Sequence, residues 1–215
     1  MRPGAPPARP AFYGRNQPRV GISPGRFYDP LMPIDPSSLQ IVSYPAPVLR
    51  KKAVPVAEVT DEVRAVARRM IELMHQAEGI GLAAPQVGLP WRLFVVHVPE
   101  GEERSASGDP VSATKAPTVY INPTLTGLIG KLITHEEGCL SLPDIRGDVL
   151  RPEVATIRAI GLDAQEFTQN ATGLLARCWQ HENDHLDGVL IIDRMTPLSR
   201  MSNKAAIKDL EASAR

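Results

Sequence analysis

Apolar residues recur along this chain in two rhythms, and the changes between them mark the elements. Between residues 61 and 77, Val63, Val66, Met70, Leu73 and Ala77 stand three or four apart, the spacing that lines one face of an α-helix. Asp61 offers an N-cap for that helix and Gly79 a stop. Before it, QIVSYPAPVLR (40–50) mixes apolar residues with two prolines and predicts an extended or turn segment. Residues 79–88, GIGLAAPQVG, are small and glycine-rich. WRLFVVHV (91–98) and TVYINP (118–123) predict buried strands, and 128–135 and 147–160 supply further β-branched, strand-like segments. The polar stretch between them, 99–117, has the composition of a connector. Residues 172–186 predict a second helix capped by Thr172, and the Ala- and Lys-rich tail from Ser199 ends in a third. There is no internal repeat. Strands in the middle with helices before and after predict an α+β fold rather than a regular βαβ alternation.

Composition narrows the class. A chain of 215 residues suits one domain with a tail, and 43% hydrophobic with 22% charged residues is globular usage. The formal net charge is +0, so no global field draws the chain to nucleic acid or membrane. No apolar run is long enough to span a bilayer. Two cysteines, Cys139 and Cys178, are too few for a disulfide scaffold and point to a reducing compartment. The first 38 residues differ from the rest: prolines at 3, 6, 7, 10, 18, 24, 30, 33 and 36 accompany five arginines and two acids. With no apolar core for a secretory signal, residues 1–38 predict a disordered or loosely attached extension, or a start codon placed too early. The expected divisions are 1–38, a catalytic domain over 39–200, and a helical tail over 201–215.

The candidate chemistry sits in His181-Glu182-Asn183-Asp184-His185, an H-E-x-x-H pattern. Residues four apart lie one above the other on a helix, so both imidazoles can reach one cation while Glu182 stands beside the water that the cation activates. Leu174 and Cys178 continue the same stripe at i−7 and i−3 from His181, which turns the pair inward. A catalytic site of this kind needs a third protein ligand and an open position. Spacing leaves Asp193, Glu211 and the upstream Cys139 as candidates.

Three segments in order, GIGLAAPQ (79–86), EEGCLS (136–141) and QHENDHLDG (180–188), resemble the signature motifs of peptide deformylases, and IVSYPAPVLRKKAVPV (41–56) is similar to the start of that domain. The resemblance covers about residues 39–200, with no departure at a signature position. It implies removal of the formyl group from the N-terminal formylmethionine of new polypeptides, by attack of a metal-bound hydroxide. It implies Cys139, His181 and His185 as ligands of one iron(II) per chain, with zinc, nickel or cobalt as substitutes. Glu182 would act as general base and then acid. The Gln86 amide and the Leu140 N–H would bind the oxyanion, Gly81 would contact the substrate backbone, and Arg146 would lie near it. Ile80, Leu174 and Cys178 are candidates for the apolar methionine pocket. The expected architecture is α+β, with small mixed or antiparallel sheets packed around the central H-E-x-x-H helix, an N-terminal helix and a C-terminal helix. The expected partners are N-formylmethionyl nascent peptides and, through Arg194, Arg200, Lys204 and Lys208, the ribosome surface near the exit tunnel. No membrane and no sequence-specific nucleic acid is expected. The chain is expected as a monomer in the bacterial cytoplasm, or in an organelle of a eukaryotic source.

The rival readings are a zinc endopeptidase with Asp193 as third ligand and a binding module with a structural metal. They part at Cys139. We expect Cys139→Ala to lose the metal on elemental analysis; retention of a full equivalent favours the endopeptidase.

Overall fold

Residues 33–213 are described by a computed structural model; of the extension expected over residues 1–38, residues 1–32 lie outside the described residues. The elements run α1 (Asp61–Gln76), β1 (Gly81–Ala83), β2 (Leu93–Val96), β3 (Thr118–Cys139), β4 (Leu142–Ile160), β5 (Glu166–Thr172), α2 (Gly173–Leu186), α3 (Ile191–Arg194), α4 (Pro197–Ser202) and α5 (Lys204–Ser213). The strands form one antiparallel meander in chain order, a single sheet within the expected α+β fold.

Burial follows from the pleat of that sheet. Along β2, Leu93 and Val95 join the cluster built on Val63, Val66, Met70 and Leu73 of α1. The alternate residues Phe94 and Val96 join the cluster built on Leu175, Ala176 and Trp179 of α2. Successive strand side chains point to opposite faces, so a helix on each face makes β2 apolar throughout. Tyr120 anchors the α2 side, its ring 5.0 Å from Phe94 and 5.6 Å from both Phe167 and Trp179. A third cluster, around Leu142, Ile145, Val149 and Ile191, receives Ile207 and Leu210 of α5.

Several boundaries differ from the sequence reading. Thr60, not Asp61, caps α1: its hydroxyl accepts the Val63 N–H, and Asp61 instead stands in the first turn, where a carboxylate favours the helix dipole. The left-handed residue that ends α1 is Glu78 (φ 54) rather than Gly79; Gly79 N–H closes on Met74 O and Glu78 N–H on His75 O, a Schellman pattern. The segments at 118–123 and 128–135 merge into β3, which passes through register shifts at 121/124, 126/129 and 129/132. Strand β5 was not expected at all. Thr172 has extended N-cap dihedrals, but its hydroxyl donates to Glu153 O instead of capping α2. The tail forms two helices because Asn203 interrupts it, its amide donating to Arg146 O and Ser199 O. At the other end, residues 33–38 are docked: Ile34 N–H donates to Glu62, and Asp35 caps the turn Pro36–Ser38. Among the described residues no helix is long and apolar enough to cross a membrane.

The exit of α2 fixes where its histidines stand. Gly188 has φ 72, and a Cβ there would lie 2.7 Å from the Arg50 carbonyl oxygen. A side chain meets both left-handed strain, about 1–2 kcal/mol, and a backbone clash. We expect Gly188→Ala to lower Tm by at least about 5 °C, read by differential scanning calorimetry.

Candidate metal centre

The β3–β4 hairpin and α2 build the site between them. Cys139 is the last residue of β3, and Leu140 and Ser141 form the two-residue turn into β4. His181 and His185 stand one turn apart on α2, ring centroids 5.0 Å apart. Hairpin and helix meet so that Cys139 Sγ lies 3.2 Å from His185 Nε2. One ligand atom from each of Cys139, His181 and His185 falls within 4.8 Å of the others, and all three residues are buried. Among the described residues these form one cluster of metal-donor type. The sequence alternatives are committed elsewhere: Asp193 pairs with Arg50 and accepts Leu190 N–H, and Glu211 accepts the Tyr44 hydroxyl.

A buried carboxylate that spacing did not single out aims one of the histidines. Glu137 Oε2 lies 3.0 Å from His181 Nδ1. A carboxylate only accepts, so Nδ1 carries the proton and Nε2 keeps its lone pair for a metal. Glu137 also accepts from Arg151 Nε at 2.7 Å, Arg151 Nη2 at 2.9 Å and Arg177 Nη1 at 2.8 Å. Burial alone would raise its pKa, but His181 and Arg151 hold it well below the ordinary carboxylate range. Arg151 reaches on to Asp184, which Arg194 grips from the surface. Asp184 and Asp187 thus brace arginines, not histidines; Asp187 pairs with Arg92. Arg177, for which the sequence suggested no role, also donates to Val149 O, while Trp179 is core.

The electrostatics favour a cation at the cluster. Burial opposes charge on His181, yet hydrogen bonds to Cys139 and Glu137 outweigh it and lift its pKa to about 10, a pull toward positive charge that a cation on Nε2 would satisfy in place of a second proton. Burial and the neighbouring His181 and Arg151 charges push His185 well below its ordinary value. A thiolate with two imidazoles is a donor set for iron(II) or zinc and a poor one for magnesium or calcium, so these residues fit a transition-metal ion.

Gln86 and Gly81 approach from β1 and the turn after it. Gln86 is fully buried. Its Oε1 accepts Ala83 N–H at 2.8 Å, which turns Nε2 toward Cys139 Sγ (3.6 Å) and Ser141 Oγ (3.4 Å). Gly81 backs onto Glu182: a Cβ there would stand 2.3 Å from Glu182 Oε1 and 2.8 Å from Cys178 Sγ. Cys178 is fully buried and its thiol faces Ile80 O at 3.5 Å. Burial, with the charges of Glu182 and Glu137, raises its pKa and keeps it protonated. Ile80 and Leu174 are partly buried and touch both apolar clusters. Arg146 pairs across the hairpin with Gly138, next to Cys139.

A family model described as polypeptide deformylase matches residues 38–201. The chain belongs to this family. It is 42% identical to the peptide deformylase of Agrobacterium fabrum over 81% of this chain and 95% of the relative. It is 43% identical to that of Acinetobacter baumannii over 80% and 91%. Of the solved structures, the Ehrlichia chaffeensis peptide deformylase aligns at a TM-score of 0.74 with 31% identity, covering 82% of this chain and 97% of the other. The Thermotoga maritima peptide deformylase aligns at 0.65 with 36% identity, covering 74% and 98%. As a deformylase the chain is a metal-dependent hydrolase that removes the N-formyl group from nascent peptides.

Glu137 lies inside the EEGCLS motif yet was not read as functional. The available signal was its place two residues before Cys139 on a strand, hence on the same face. We expect Glu137→Gln to weaken metal affinity about 10–100-fold, because the amide cannot both accept from His181 and neutralise two arginines. Chelator competition on the folded variant reads the loss.

Proposed function

We propose that Cys139, His181 and His185 hold one iron(II), that Glu182 moves the proton, and that Gln86 and Leu140 bind the oxyanion during deformylation. The observation that carries this reading is the convergence of three buried donors with Glu182 against Gly81 and the Gln86 amide turned toward Cys139. A divalent cation held by these donors would supply Lewis acidity, which brings the ionisation of water down to about pH 7. Glu182 takes a proton from the attacking water and delivers it to the amine nitrogen as the formyl C–N bond breaks, releasing formate and a free N-terminus. The Gln86 amide and the Leu140 N–H donate to the formyl oxygen as it becomes negative. Gly81 keeps room for the Glu182 carboxylate and presents its backbone to the peptide. Ile80, Leu174 and Cys178 shape the apolar pocket for methionine, with Cys178 beneath it, and Arg146 lies along the peptide's path.

We infer that the catalytic domain spans 39–200 and acts as a monomer. Arg200, Lys204 and Lys208 make no ion pair among the described residues and, with Arg50, line a cavity of about 520 Å³ against α4 and α5. That supports contact with ribosomal RNA phosphates near the exit tunnel; Arg194 contributes less because it is held by Asp184. Both cysteines are free, which supports the bacterial cytoplasm, or an organelle in a eukaryotic source.

Purified anaerobically, the protein should carry iron and release formate from formyl-Met-Ala-Ser. Glu182→Ala should keep its metal while kcat falls roughly 10²–10⁴-fold; Gln86→Leu should lose about 10²–10³ in kcat. Internal peptide cleavage without formate overturns the reading.

A further inference from the structure

A second pair of histidines meets at the surface, between the last turn of α1 and the residue after β2. His75 Nε2 and His97 Nδ1 stand 2.9 Å apart. Their rings meet edge-on, centroids 5.0 Å apart at an interplanar angle of 63°. The candidate ligands His181 and His185 meet at 5.0 Å and 68°. The surface pair therefore repeats the ring arrangement of the metal centre, but on different elements and with His75 open to solvent.

The spacing of the two nitrogens suits a shared ion. Two ligands about 2.1 Å from one metal stand roughly 3.0 Å apart at the right angle of a square-planar or octahedral ion, and roughly 3.4 Å apart at the tetrahedral angle of zinc. In the hydrogen-bonded pair one proton lies between the two nitrogens. Its transfer to the other nitrogen of the same ring frees both lone pairs with no net release of protons. Burial and the proximity of His75 lower the pKa of His97, which keeps that ring in the neutral form a ligand requires.

We propose that His75 and His97 form a second, surface site for a divalent transition metal of the nickel or copper type, with water completing its coordination. Imidazole suits these ions, and a pair of imidazole nitrogens does not suit magnesium or calcium. The site would clamp the crossover that carries Gly81 into the metal centre. His75 O accepts Glu78 N–H at 3.0 Å, and His97 N–H donates to Ile80 O at 2.8 Å. An ion bridging the two rings ties both ends of residues 77–80 together and stabilises the entry to β1.

The test uses the holoenzyme with nickel at its catalytic centre, dialysed against nickel(II) alone. Wild type should hold two nickel ions per chain. His75→Gln and His97→Gln should hold one and still release formate, which shows that they are folded. His135→Gln, a control at the remaining histidine, should hold two. At free nickel about 100-fold above the second dissociation constant, wild-type Tm should rise roughly 5–10 °C and the Tm of the two variants should not. One nickel per chain in wild type, or a second ion that survives both substitutions, overturns the proposal.

Discussion

The buried carboxylate of Glu137 is the interaction on which the metal centre depends. It sits fully inside the protein with Arg151 at 6% and Arg177 at 7% side-chain exposure. Taking such charges out of water costs several kcal/mol per ion, and a buried pair repays that only when its remaining hydrogen-bonding positions are filled. Here they are: two arginines and His181 satisfy both oxygens. The return is orientation more than stability. Glu137 belongs to β3, Arg151 to β4, and Arg177 and His181 to α2, so one group sets the tautomer of His181 and locks hairpin against helix.

That lock holds a short turn against the helix. Cys139, Leu140 and Ser141 are consecutive at the tip of the hairpin, and the Gln86 amide bridges from the neighbouring segment to the first and third of them. On the opposite side, Gly81 has no side chain because the Glu182 carboxylate occupies the space a Cβ would fill. Its glycine is a matter of volume, not of backbone twist, since its φ is not among the positive ones. The centre is therefore tolerant of little: β1, the hairpin and α2 must pack closely for the Cys139 thiol, the Glu182 carboxylate and the Gln86 amide to stand together.

What was legible in the chain follows from range. The H-E-x-x-H pair and α2 could be read because four residues on a helix is a local geometry. The apolar run of β2 was visible because both faces of that strand are covered. Cys139 was not fixed by spacing, since nothing local links residue 139 to residue 181; only the joint resemblance of three motifs assigned it. Glu137 was overlooked because its partners, Arg151 and Arg177, lie 14 and 40 residues away. Strand β5 was missed for another reason: EFTQNAT lacks a sustained apolar alternation, and its place in the sheet comes from pairing with Val154–Ile160 of β4. Of the two misread helix caps, the one at α1 is a local choice between neighbours, the Thr60 hydroxyl taking the place read for Asp61, while the Thr172 hydroxyl is drawn across the sheet to Glu153 O.

The buried charges also bear on which ion the centre would hold. Arg151 and Arg177 contribute two positive charges, and Glu137 and Asp184 cancel them. Arg194, which shares Asp184, is 51% exposed and screened by solvent. A ligating thiol is deprotonated, so Cys139 as a ligand would add a negative charge close to the Glu182 carboxylate. A divalent ion would offset both negative charges in a water-poor interior, where unpaired charge is expensive. The buried thiol and imidazole donors therefore suit a divalent transition-metal ion.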